Sequence, residues 1–339
     1  MPLVPMRVIL EASLEAYKKG EPFAAGAYNV NNMEQMQGIM RSAKETLSPV
    51  IIQASRGALK YADMNYIKHI MLAAIELNPE VPVAMHLDHG NNLDAVKKAI
   101  DLGFSSVMID GSLMEDGKTP SAYEYNVRVT KEVAEYAHSF GVTVEGELGT
   151  LGGIEDGVGS GKIHLTDPLQ AEDFVRETKA DALALAIGTS HGAYKFKVEP
   201  KLAFDIIEKV RKLLPDTFLV SHGSSSVPGD LIDAINKFGG NMQHTMGVPL
   251  ESLKKAIALG INKINVDTDT RLAATAAIRR VFAEHPDKFD PRDYLGPARD
   301  AIYDVIKSRM IAFGTAGRIK EVRIKSLENV REQHFSSAE

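Results

Sequence analysis

The run Val81-Pro82-Val83-Ala84 closes in Met85-His86-Leu87-Asp88-His89-Gly90, and a buried strand has no ordinary packing use for so many ionisable groups. His86 and Asp88 are two residues apart, so on a strand they share one face, while His89 begins the loop beyond. Other apolar runs end in the same way. Ser106-Val107-Met108-Ile109 leads to Asp110, and Val142-Thr143-Val144 leads to Glu145 and Glu147, again on one face. Residues 182–187 run into Gly188-Thr189-Ser190-His191-Gly192, and Phe218-Leu219-Val220-Ser221 runs into His222-Gly223-Ser224-Ser225-Ser226. The last such run ends Asn265-Val266-Asp267-Thr268-Asp269. His89, His191 and His222 are each followed by glycine. Three imidazoles with one open position form a common catalytic zinc design, in which the open position polarises a substrate oxygen or activates a water. His86 reads as support, either orienting a ligand or serving as a hydrogen-bonded core histidine. The remaining histidines fall on expected helices or loops, where surface or structural roles are ordinary.

These side chains can meet only if the ends of their strands converge. Apolar runs at residues 23–29, 49–55, 83–88, 106–110, 142–148, 182–188, 218–221 and 261–267 alternate with helical stretches. The helices are expected at about 33–47, 63–77, 93–102, 121–140, 168–178, 200–214 and 228–237, with an extra one at 249–259 and another after the eighth strand. Eight continuous apolar strands, each followed by a helix, predict an α/β chain folded as one (β/α)8 TIM barrel. No low-complexity linker interrupts them, so residues 1–339 are read as a single domain. The turn-rich stretch from His285 to Arg292 leads to a helix at about 296–313. Residues 285–339 therefore form a C-terminal helical extension, a candidate for subunit contacts.

The bulk numbers bound the function. The 339 residues are 44% hydrophobic and 25% charged, as in a soluble globular protein. A net charge of −6 argues against nonspecific nucleic-acid binding. There is no cysteine, hence no disulfide or thiolate chemistry. No apolar run approaches the roughly 18 residues needed to cross a membrane, and the first residues do not form a secretory signal. The expected location is the cytoplasm.

The glycine and hydroxyl content suggests what else binds. Gly192 with nearby Lys195, the run from Gly223 to Ser226, and Asp267-Thr268 follow strands 6, 7 and 8, where barrels commonly bind phosphate. Turn glycines and N-cap serines look the same at any one of these places, but beside a metal site the phosphate reading gains weight. The long loop at residues 149–161 is Gly-rich and carries Glu155, either as an acid or base delivered by a closing lid or as part of a solvated acidic loop.

Two motifs now align with a known family. His86-x-Asp88-His89-Gly90 and Glu145-x-Glu147-Leu148-Gly149-x-x-Gly152-Gly153-x-Glu155 resemble the signatures of the class II, metal-dependent fructose-bisphosphate aldolases. Gly188-Thr189-x-His191-Gly192-x-Tyr194-Lys195, Ser221-His222-Gly223-Ser224-Ser225 and Asn265-x-Asp267-Thr268-Asp269 continue the resemblance in the same order, from about Asn29 to Arg318.

The resemblance implies that His89, His191 and His222 hold a catalytic Zn2+, with Asp110 and Glu147 at a second, inner metal position. It implies that Asp88 moves the proton on the C4 hydroxyl and that Glu155 exchanges the proton on the triose-phosphate carbon. Gly192, Lys195, Gly223, Ser224, Ser225, Asp267 and Thr268 correspond to the cradle of the dihydroxyacetone-phosphate group, and Asn265 to a contact with substrate oxygens. Ser55, Arg271 and Arg292 fall where the family holds the other phosphate, Arg292 being donated by a neighbouring subunit. His86 and Asn29 are expected to support these groups. A monovalent cation, Na+ or K+, is implied near the first phosphate. The implied partners are phosphosugars and further copies of the chain, as a homodimer or homotetramer, with neither nucleic acid nor membrane.

The chemistry explains the residue types. Cleaving C3–C4 of a ketose sends electrons into the C2 carbonyl, whose oxygen needs a positive partner that zinc on neutral imidazoles supplies. The Schiff-base route would need a lysine inside the barrel near a strand end; Lys263 lies near the start of strand 8. Tagatose-bisphosphate aldolase shares the motifs, but the length and the tail with Phe289-Asp290-Pro291-Arg292 resemble the fructose-specific branch. A metal-dependent barrel hydrolase would carry His-x-His on the first strand, which is absent here. A non-catalytic phosphosugar binder would not need Asp88.

Overall fold

The computed structural model describes residues 3–153, 163–194, 196 and 200–336. In order, the first half carries α1 (Met6–Lys18), β1 (Ala25–Asn29), α2 (Met33–Thr46), β2 (Val50–Ser55), α3 (Arg56–Ala62), α4 (Met64–Leu77), β3 (Val83–Gly90), α5 (Leu93–Asp101) and β4 (Ser106–Ile109). Then follow α6 (Tyr123–His138), β5 (Thr143–Leu148), α7 (Pro168–Thr178), β6 (Ala182–Leu185), α8 (Phe204–Leu213) and β7 (Phe218–Ser221). The chain continues with α9 (Gly229–Lys237), α10 (Leu250–Ala258), β8 (Ile261–Val266), α11 (Thr268–Glu284), α12 (Pro291–Ala312) and α13 (Leu327–Ser336). The eight strands pair in parallel and close, β1 bonding to β8, so the expected (β/α)8 barrel is observed.

The strand interior is graded from apolar to polar. Ala27 pairs with Ile51 and Ile51 with Ala84, and these inward residues meet Met6, Ile9 and Leu10 of α1, which plugs the barrel from below. Two residues further along, the same inward rows carry Asn29, Gln53 and His86. The period of two that sends apolar side chains to the floor thus sends polar ones to the strand ends.

The helices form as their local sequences direct. Asn32 and Asn92 cap α2 and α5 by accepting from the N–H groups of Gln35 and Ala95, each at 2.9 Å. The strands agree with the sequence reading, but the helices differ in four places. Helix α1 precedes the first strand, as Val8, Ile9, Ala12 and Ala16 give it one buried face. Ser55 caps a separate short α3 before α4, accepting from Ala58 at 3.1 Å. Helix α12 starts at Pro291, five residues ahead of the sequence reading, because Asp290 caps it and proline is tolerated at the first helical position. Finally, α13 returns the tail to α1.

The C-terminal extension packs closely on the barrel. Gly38 of α2 lets α12 approach so near that an added Cβ would lie 2.8 Å from Ile302. Ser42 donates to the Tyr303 carbonyl at 2.9 Å across the same contact. No helix among the described residues is long and apolar enough to cross a membrane.

Candidate metal and substrate site

His89 is placed by a departure from regular strand geometry. On a regular strand it would point away from Asp88, its neighbour. The β3–β4 register shifts between Leu87 and Gly90, and His89 takes φ +50°, a left-handed conformation that is costly outside glycine. Such a bulge re-aims a side chain, and here it brings His89 to the same pocket as Asp88. The strand therefore extends through Gly90, and His89 belongs to it rather than to the loop. Its Nδ1 donates to Asp110 Oδ2 at 3.1 Å, which leaves Nε2 for another partner.

The three glycine-flanked histidines do meet. The His89 ring lies 5.1 Å from that of His191 and 4.9 Å from that of His222, both edge-on. One nitrogen from each of the three falls within 4.8 Å of the others, a group able to hold a metal ion. His89, Asp110 and Glu147 form a second such group sharing His89. His222 Nε2 donates to Glu145 Oε1 at 2.6 Å, and its buried Nδ1 makes no hydrogen bond while facing Glu147 Oε2 at 3.3 Å. Buried nitrogen and carboxylate oxygen placed this way are what a bound cation would satisfy, and the donor set suits zinc.

Asp88 is held from both sides by amides. Asn29 donates to Oδ2 at 2.9 Å and Asn265 to Oδ1 at 3.2 Å. Burial alone would raise this carboxyl, but the charges of His89, His222 and Lys263 and the Asn29 hydrogen bond hold it below its ordinary range. Burial would lower His89, yet Asp88 and the Asp110 hydrogen bond raise it to about 10. Glu147 is raised by burial and by the nearby Asp110 charge.

Two residues that the sequence reading left without a role lie beneath the histidines. Lys263 is fully buried and reaches Glu145 Oε2 at 2.9 Å. Burial favours a neutral Glu145, but Lys263 and the His222 hydrogen bond prevail and keep it ionised. Burial and the Lys263 charge push His86 down to about 3, so it stays neutral, with Nδ1 2.7 Å from Ser106 Oγ. Lys263 is two residues before Asn265 on an apolar strand, and that spacing was the available signal. Gln53 was also missed; its amide donates to Asn29 Oδ1 at 2.6 Å.

The pocket beside the histidines is lined by Ser55, Arg56 and Gly57 on one side and by Gly223, Ser224, Ser225, Asn265 and Asp267 on the other. Gly223 takes φ +61° and lies so close to Ser190 that a Cβ would meet its carbonyl at 2.7 Å, so only glycine fits. Ser225 Oγ accepts from the Asp267 N–H at 3.2 Å, joining the loops after β7 and β8. Arg271 forks onto Asp267, with Nε 2.7 Å from Oδ1 and Nη2 2.6 Å from Oδ2, and lines an adjoining groove with Tyr61 and Leu295. Thr268 opens α11 next to these groups, and Gly192, at φ +79°, follows His191. Arg292 is not brought to the pocket of its own chain: its side chain is 88% exposed and pairs with Asp290. Glu155 and Lys195 lie outside the described residues.

Comparison with known proteins adds an independent line. The family model described as fructose-bisphosphate aldolase class-II matches residues 10–318. A protein of Giardia intestinalis named fructose-bisphosphate aldolase is 54% identical over 335 residues, covering 98% of this chain and 99% of its own. One of the same name from Pseudomonas aeruginosa is 50% identical over 349 residues, covering 98% and 97%. Among solved structures, the YdjI aldolase of Escherichia coli K12 superposes with a TM-score of 0.73 at 29% identity, covering 94% of this chain and 99% of that one.

Proposed function

The chain belongs to the class-II fructose-bisphosphate aldolases, and from that membership we propose that it reversibly cleaves fructose 1,6-bisphosphate to dihydroxyacetone phosphate and glyceraldehyde 3-phosphate. The observation that carries the proposal is three converging imidazoles beside an amide-clamped carboxylate.

His89, His191 and His222 would hold the catalytic zinc, with Asp110 and Glu147 available for an inner position. Bound zinc supplies Lewis-acid charge for the ketose carbonyl. Asp88, ionised and fixed by Asn29 and Asn265, takes the proton of the C4 hydroxyl as C3–C4 breaks. Glu155 exchanges the proton on the triose-phosphate carbon. Gly192, Lys195, Gly223, Ser224, Ser225, Asp267 and Thr268 cradle the dihydroxyacetone-phosphate group, and Asn265 orients the substrate oxygens. Ser55 and Arg271 hold the other phosphate together with Arg292 from a neighbouring copy, in a homodimer or homotetramer. A Na+ or K+ ion accompanies the first phosphate. Lys263 supports the metal route over a Schiff base, because its ammonium is buried against Glu145 rather than offered to substrate. The reading places the enzyme in the cytoplasm, in sugar-phosphate metabolism.

A coupled assay on fructose 1,6-bisphosphate before and after chelation tests the proposal, with tagatose 1,6-bisphosphate run in parallel. Chelator-sensitive cleavage with fructose as the better substrate is expected. Chelator-resistant cleavage would sink the metal route, and preference for tagatose would reassign the substrate.

A further inference from the structure

Behind the loop after β7 lies a buried ion pair that the mechanism does not use. Asp269, fully buried in the first turn of α11, accepts the N–H of Val227 on Oδ1 at 2.8 Å and that of Ser226 on Oδ2 at 3.1 Å. Arg309, in the last turn of α12, donates to the same carboxylate through Nε at 3.0 Å and lies 2.9 Å away through Nη2. Arg309 is itself only 5% exposed. The pair thus runs from the C-terminal extension, across α11, to the backbone of the loop that carries Ser224 and Ser225.

Two features make this more than a fastening of one helix to another. Val227 is a β-branched residue at φ +48°, a conformation its own side chain disfavours. Its N–H is the one that Asp269 accepts at 2.8 Å, so the carboxylate holds the loop in a shape it would otherwise leave. On its other side, the Ser225 carbonyl accepts from Val248 at 3.2 Å, and the loop lies so close to Gly247 that a Cβ would meet the Ser225 carbonyl at 2.4 Å. The loop is pinned between β8-side and α10-side contacts, with Asp269 gripping its far end. The second feature is charge. An unpaired carboxylate directly behind a loop that binds a phosphate dianion would repel it, with little solvent screening in a buried setting. The Arg309 guanidinium cancels that charge.

We infer that Arg309, through Asp269, is a positioning residue for the phosphate cradle formed by residues 223–225, so that the C-terminal extension helps set affinity for the dihydroxyacetone-phosphate half of the substrate. The inference rests on the cradle assignment proposed above.

The test compares zinc-loaded wild type with R309M, R309K and S225A, each shown to be folded by its thermal transition. Dihydroxyacetone phosphate is read as a product inhibitor of cleavage, and glyceraldehyde 3-phosphate by its KM in condensation. R309M is expected to weaken dihydroxyacetone phosphate by about tenfold or more, with glyceraldehyde 3-phosphate within about twofold, because loss of uniform binding raises KM more than it lowers kcat. R309K, which keeps the charge and loses the two-point grip, should fall between. A lowered melting temperature with unchanged affinity for both triose phosphates would overturn the inference, as would equal weakening of both. If R309M alone leaves dihydroxyacetone phosphate unaffected while S225A weakens it, the cradle stands and the role of Arg309 falls. If S225A also has no effect, the cradle assignment fails and the inference with it. Should R309M not fold, R309K decides, and wild-type affinity in that variant overturns the inference.

Discussion

Asn29 at the end of β1 donates its amide to Asp88 Oδ2 at 2.9 Å, across 59 positions of chain and the width of one intervening strand. Gln53 on that strand donates in turn to Asn29 Oδ1, so the Asn29 amide can present only its NH2 group to Asp88. Three neighbouring strands thereby fix the orientation of a single carboxylate. Asp88→Ala is expected to lower kcat by about 10²–10⁴-fold, the usual worth of a positioned general base, with zinc content unchanged. Asn29→Ala should cost less, since Asn265 still holds the other oxygen. Metal analysis beside steady-state kinetics checks both, and loss of zinc from Asp88→Ala would reassign that residue to the metal.

Removal of metal should abolish cleavage, and added zinc should restore it. The reason is local: His222 Nδ1 and Glu147 Oε2 are buried 3.3 Å apart, neither in a hydrogen bond. His191→Ala should lose metal and activity together while the barrel stays folded, because the strand pairing does not pass through that side chain. Far-UV circular dichroism and metal content would show the separation.

Arg292 extends from its own chain with its side chain 88% exposed, although it is expected to bind a substrate phosphate. If a neighbouring copy receives it, Asp88→Ala and Arg292→Ala are each nearly inactive alone but complementary. Exchanging subunits of the two variants as dimers should restore about a quarter of wild-type activity, since half the dimers are mixed and each mixed dimer rebuilds one of two sites. Mixtures that never exceed the activity of the parents would place Arg292 outside the site.

The tail is held by a pH-dependent contact. His334 of α13 stacks on His138 with ring centres 3.8 Å apart, and its Nε2 lies 3.1 Å from Arg7 Nη1 and 3.9 Å from Asp181 Oδ1. Burial pushes His334 down to about 4; the Asp181 charge opposes this, while His138 and Arg7 add to it. A group that binds its proton less readily when folded contributes stability above its unfolded value near 6.5, and that contribution is lost as pH falls toward 4. Hydrogen exchange in α13 should therefore quicken between pH 6.5 and pH 4, and His334→Gln should flatten the change. An equal pH response in the variant would assign it to another group.

The strands and most of the site were legible because both depend on short-range patterning. Apolar runs ending in His, Asp or Glu located the chemistry of six of the eight strand ends without any knowledge of pairing. What was not legible depends on register across the barrel. The Lys263–Glu145 pair joins β8 to β5; the period of two turns each side chain inward, but nothing within either strand says that the two meet. The redirection of His89 arises from a shift in pairing between β3 and β4, which is a property of two strands together. Arg309 and Asp269 are 40 positions apart on different helices, and each taken alone reads as an ordinary helical charge. Helix α1 was passed over because its apolar face finds its partner only once the barrel floor exists.

That floor also governs traffic. Among the described residues, Met6, Ile9 and Leu10 close the barrel beneath Ala27, Ile51 and Ala84, while the pocket beside His89 and His191 lies at the strand ends. On the reaction proposed above, both products would leave by the way the substrate came in.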